Sequence, residues 1–238
     1  MSGTDGANRP FFSPDGQWIG IFADSKLKKV AVQGGFLVTL CYAALSGGGG
    51  WGDDDNIIAA PNVGSGLSRI PSGGGAPAPV TEVKKEKGEV MQGSPQVLPG
   101  SHAVLLTSPT CGRLREYRCL VVEDRRADNL QRGGFAFGWY LPSGHLVYMQ
   151  QNTLFAAPFD LSRLAVTGAP QPVLQDVNLA VESPHWNFDF SRAKLFAAPE
   201  NNEASATELH RTRRVNACLL VIEVASAPVY ADATDQTR

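Results

Sequence analysis

The chain has 238 residues, with 21 Lys and Arg against 23 Asp and Glu, and is 43% hydrophobic, which is enough for one sizeable core or two small ones. Its densest basic run, KKEK at 84–87, contains Glu86 and is flanked by Glu82 and Glu89, so the concentrated positive field that nucleic acid requires is missing and no nucleic-acid partner is expected. The 25 glycines and 16 prolines favour many turns over long helices.

The first ten residues, MSGTDGANRP, lack the apolar centre of a signal peptide. The longest apolar stretch, FLVTLCYAAL at 36–45, is far short of the roughly 20 residues of a membrane span. A soluble protein without a leader, cytoplasmic as the sequence stands, is therefore expected. Cys41, Cys111, Cys119 and Cys218 form no CxxC pair and no histidine stands at metal-finger spacing from them. They read as free thiols, with a Cys111–Cys119 bridge across a hairpin as the alternative in an oxidising compartment.

One phrase recurs along the chain: FSPDGQWIGIF (12–22), WGDDDNIIAA (51–60), QVLPGSHAVLL (96–106), YLPSGHLVYM (140–149) and, with its glycine lost, FDFSRAKLFAA (188–198). Equivalent positions are separated by 39, 46, 43 and 49 residues. In each clear copy an apolar strand runs into proline, which cannot donate to a ladder, and then into a tight turn where Gly16, Gly100 or Gly144 permits positive φ. A β-rich run follows, then a further strand: LKKVAV (27–32), GLSRIP (66–71), YRCLVVE (117–123) and TLFAAPF (153–159). A Gly- or Pro-rich link leads to a fourth strand in FLVTLC (36–41), APAPVTEV (76–83) and PQPVLQ (170–175).

Four-stranded units at this period cannot bury both faces alone, and stacking them radially solves that problem. The expectation is an all-β fold: a single β-propeller of five four-stranded blades around a central channel, at roughly 8–45, 46–88, 89–132, 133–178 and 179–230. The alternatives are an incomplete propeller of six to eight blades, or an array closed by dimerisation. Residues 199–214, PENNEASATELHRTRR, read as a solvated loop with a short helix at 203–211. ACLLVIEVA (217–225) reads as a strand that either completes the fifth blade or pairs with the first.

The first four stretches, FSPDGQWIGIFADSKLKKVAVQGG, WGDDDNIIAAPNVGSGLSRIPSGGG, PQVLPGSHAVLLT and YLPSGHLVYMQQNTLFAAPFDLSRLAVTGAPQPVL, resemble the TolB-like propeller repeats of bacteria. They are especially similar to the propeller halves attached to some bacterial serine/threonine kinases. The likeness covers roughly residues 8–198 and implies a fold rather than a function, because propellers host binding, scaffolding and catalysis alike. No kinase nucleotide loop, HRD or DFG is present.

Hydrolase elbows, HExxH and phosphate loops are absent. SGGGGWG (46–52) reads as a close backbone crossing between blades, not a phosphate cradle, since no Lys-Ser/Thr follows. DDDN (53–56) reads as a hairpin turn, with a calcium site as the alternative. His102 and His145 follow turns, and His210 lies in the charged loop. Residues on the approaches to the innermost strands form the candidate ring at one channel mouth: Arg9, Glu89, Gln92, Glu182, His185 and Asn187. Trp51, Trp139 and Trp186 sit near these strands, either packed between blades or forming an apolar wall for a ligand.

The reading favoured is recognition of a small molecule or peptide at that mouth, by Arg9, Gln92, Trp139, Trp186 and Asn187; a protein partner on the blade faces is a third class. The competing reading is a calcium-assisted lactone or ester hydrolase. It is drawn by analogy with propellers such as the gluconolactonase-like and paraoxonase-like lactonases, which hold a channel calcium ion with Glu, Asn and Asp. On that analogy Glu89, Glu182 and Asn187 are the candidate Ca2+ ligands and His185 the base, with Glu89 and Glu182 beside it in the catalytic set. A glycosidase would need two carboxylates across the channel, for which Glu89 and Glu182 are the nominees.

Overall fold

The computed structural model describes residues 4, 6–62, 64–109, 115–121, 126–131, 135–150, 153–175, 188–190, 194–197 and 220–223. Its strands form five antiparallel sheets in chain order. The first holds β1 (Asn8–Phe12), β2 (Trp18–Ala23), β3 (Lys26–Ala31) and β4 (Val38–Tyr42). The second holds β5 (Gly49–Trp51), β6 (Asn56–Ala59), β7 (Ser68–Pro71) and β8 (Ala78–Pro79). The third holds β9 (Gly93–Val97), β10 (Ala103–Pro109), β11 (Arg115–Val121) and β12 (Arg126–Gln131).

In the fourth, β13 (Phe135–Leu141), β14 (His145–Gln150) and β15 (Thr153–Asp160) are extended by β16 (Ala165–Val166) and β17 (Gln171–Leu174), which both pair with β15. The fifth is β18 (Phe188–Phe190), β19 (Lys194–Ala197) and β20 (Leu220–Glu223). Of the two placements expected for the last strand, β20 takes the first, pairing with β19. The only helical turn among the described residues is a 3-10 turn at Lys85–Lys87. The expected helix at 203–211, the loop around it, Cys111 and Cys218 lie outside the described residues.

Each repeated phrase becomes the hairpin that joins the first two strands of a sheet. In the four turns that are described, a left-handed residue stands one to three positions before the second strand: Gly16 at φ 69°, Asp55 at 61°, Gly100 and Ser101 at 83° and 59°, and Gly144 at 80°. Of these four turns only that of DDDN has no left-handed glycine, and side chains hold it instead. Asp54 Oδ1 accepts from the Asn56 amide at 3.2 Å, and Asn56 Nδ2 donates to Asp54 Oδ2 at 2.9 Å. DDDN also latches onto the next turn. Asp53 Oδ2 accepts from the Gly100 amide at 3.0 Å, and the Asp54 amide donates to Ser101 Oγ at 3.3 Å. Its carboxylates thus satisfy backbone donors, as a turn requires.

The core lies between successive sheets. Phe22, Leu27, Leu40, Trp51, Ile57 and Ile70 join the first to the second. Ile58, Leu67, Val80, Val104 and Leu106 join the second to the third. Leu98, Leu105, Tyr140, Leu146, Tyr148 and Phe159 join the third to the fourth. Alternation along each strand is what sends Ile57 one way and Ile58 the other. On the first sheet Ile21 and Val30 point away from Phe22 and Leu27, and they too are buried, at 6% and 2% exposure.

The glycine run earns its composition at the crossing of innermost strands. A Cβ on Gly50 would stand 2.7 Å from the carbonyl oxygen of Pro95, and one on Gly47 would stand 3.2 Å from that of Gln92. The Ser94 amide donates to the Gly47 carbonyl at 2.7 Å, tying the two sheets by backbone alone. Phe11 fills the matching space on the other side, its ring lying over Gly20 and Gly49 and edge-on to Trp51, with centroids 6.4 Å apart. Trp51 is thereby a packing residue between sheets, with Lys29 reaching the faces of both Trp18 and Trp51.

Candidate functional site

The N-terminal end of β1 pairs with the C-terminal end of β2, Asn8 opposite Phe22, so the start of this innermost strand lies beside the β2–β3 turn. The crossover from β4 to β5 returns to the same place, and Ser46 Oγ donates to Asn8 Oδ1 at 3.4 Å. Between these three segments is a cavity of about 270 Å3, lined among others by Asn8, Asp24, Ser25, Leu45 and Ser46. That volume is just below the roughly 300–1,000 Å3 usual for drug-sized ligands, so it suits a small one.

Both central residues of the β2–β3 turn, Asp24 and Ser25, are left-handed at φ 52° and 56°. Asp24 is also ion-paired, with Lys28 Nζ 2.5 Å from its Oδ2. The hydrogen bond from Lys28, and then its charge, hold the Asp24 carboxyl below the usual carboxylate range. A depressed folded-state pKa means that this stabilisation is present above the unfolded value and is lost as pH falls through the folded one. Lys28→Met, which keeps an aliphatic stem in a buried position, is expected to return the Asp24 carboxyl toward its ordinary value. NMR titration of the Asp24 side chain reads this directly, and an unchanged titration would exclude Lys28 as the cause.

Arg9 follows Asn8 on β1. It is half-buried, at φ 50°, beside the irregularity in pairing between Asn8 and Phe11. Burial lowers its guanidinium pKa from the ordinary value. No described residue forms a hydrogen bond or ion pair with it.

Glu89 and Gln92 are brought together on the approach to β9, and both are buried, at 3% and 6% exposure. Glu89 Oε2 accepts from the Lys84 amide at 2.9 Å and from Gln92 Nε2 at 3.3 Å. Gln92 Nε2 also donates to the Glu82 carbonyl at 3.1 Å, while Thr81 Oγ1 bonds Gln92 Oε1 and accepts from the Leu67 amide. In this structure, then, the pair clasps the KKEK turn and the β8–β9 crossover to the second sheet. Glu182, His185, Trp186 and Asn187 lie outside the described residues. No group of three or more His, Cys, Asp or Glu capable of holding a metal occurs among the described residues.

Trp139 packs with Leu141, Val147, Ala156 and Val173 on the face of the fourth sheet opposite Tyr140. His102 is exposed, and His145 Nδ1 lies 3.2 Å from Ser143 Oγ within its own turn. The cavity residues Asn8, Asp24, Ser25 and Ser46 were not legible as a site. Only ADSK, a hairpin turn between strand signals, hinted at one of its walls.

No protein-family profile matches the chain, and no curated protein is a detectable relative by sequence. Solved structures do match. Regucalcin from Agrobacterium tumefaciens C58, a calcium-binding protein, aligns at TM-score 0.61 and 13% identity over 81% of this chain and 66% of its own. TolB from Acinetobacter baumannii aligns at TM-score 0.53 and 13% identity over 71% of this chain and 43% of its own. A protein provisionally assigned as a gluconolactonase aligns at TM-score 0.58 and 12% identity over 81% and 71%. This chain thus spans less than two thirds of the length of the first two. The likenesses show the fold alone, a β-propeller type of sheet array. No helix among the described residues is long and apolar enough to cross a membrane.

Proposed function

We propose that this chain is a TolB-like propeller that recognises a small molecule, or the end of a peptide, at the mouth where its innermost strands begin. The TolB-like assignment rests on the repeated turn phrase, which is also similar to that of kinase-attached propellers. A closed ring of five sheets is the architecture proposed; the burial of Ile21 and Val30 on the outward face of the first sheet supports closure. The observation that carries the binding reading is the cavity of about 270 Å3 between the N-terminal segment, the β2–β3 turn and the β4–β5 crossover.

The test is a thermal-shift screen of small polar metabolites on the wild type and on Ser46→Trp, which fills the cavity. Ligands that raise Tm in the wild type and not in Ser46→Trp bear the reading out. Equal shifts in both proteins place binding elsewhere and sink it. A parallel pH-stat assay on lactones and esters, with calcium and then with chelator, separates the competing class. Turnover abolished by chelator would replace recognition with hydrolysis centred on Glu89, Glu182 and His185.

A further inference from the structure

We draw no further inference here: the strongest candidate, the exposed apolar rim of Phe12, Val32, Phe36 and Val38 at one end of the first sheet, carries nothing because nothing in the structure shows what covers it.

Discussion

Gly66→Ala is expected to lower the stability of this protein by roughly 3 kcal/mol, with Tm falling by about 6–12 °C. A Cβ at this position would lie 2.0 Å from the carbonyl oxygen of Thr81 and 2.4 Å from its carbonyl carbon. Those atoms are backbone and cannot rotate aside. Relief requires the segment around Thr81 to move away from Leu67, to which it is bound by the Val80 and Thr81 amides at 2.8 and 3.2 Å. That movement also breaks the bond of 2.7 Å from the Leu67 amide to Thr81 Oγ1, and through it the chain to Gln92 and Glu89. The control is Gly73→Ala. Nothing lies within 4 Å of its added methyl, so this exchange is expected to be neutral or to stabilise by up to about 1 kcal/mol. Urea melts of the two variants decide the matter. Equal stabilities would mean that the crossover at 80–92 yields freely and is not clamped to the second sheet.

Gln96→Leu is expected to cost about 2–4 kcal/mol, although leucine is similar in size and more apolar. Gln96 Nε2 donates to the Tyr140 carbonyl at 2.9 Å, and Gln96 Oε1 accepts from the Tyr140 amide at 2.7 Å. The side-chain amide therefore acts as a substitute strand partner for the backbone of β13, an innermost strand with no ladder on that side. Removing it leaves a buried donor and a buried acceptor without partners, which costs far more than the net worth of two hydrogen bonds. The ring of Tyr140 packs edge-on to Phe159 at 5.8 Å, so loosening its backbone also disturbs the interface between the third and fourth sheets. Denaturant unfolding measures the loss. Retention of full stability in Gln96→Leu would show that water replaces the amide at no cost.

Both effects bear on function through the same geometry. Gly66 and Gln96 do not line the cavity, yet each fixes one sheet against the next and so fixes where the innermost strands begin. The cavity itself is walled by the start of β1, the β2–β3 turn and the β4–β5 crossover, so it depends on how the first sheet sits against the second.

Much of the architecture was written in local order. The phrase around Pro14, Pro99 and Pro142 specifies strand, turn and strand within a dozen residues, and alternation sends neighbours such as Ile57 and Ile58 to opposite interfaces. The role of SGGGGWG followed from composition as well, because only glycine lets two backbones meet as Gly50 and Pro95 do. Even the reading of DDDN as a turn needed no more than its place in the repeat.

The candidate site was another matter. Ser46 and Asn8 meet across 38 residues, and Gln96 reaches Tyr140 across 44, with no pattern in the chain to pair them. Glu89 Oε2 accepts from the Lys84 amide, five residues away, in a turn that the carboxylate closes and that the repeat pattern did not mark. Local sequence determined which segments become strands and turns, since dihedral preference and hydrophobic alternation act between neighbours in the chain. Which polar groups meet, and which are left facing a cavity, was decided by the stacking of sheets, because those contacts depend on the distance between segments and not on their order.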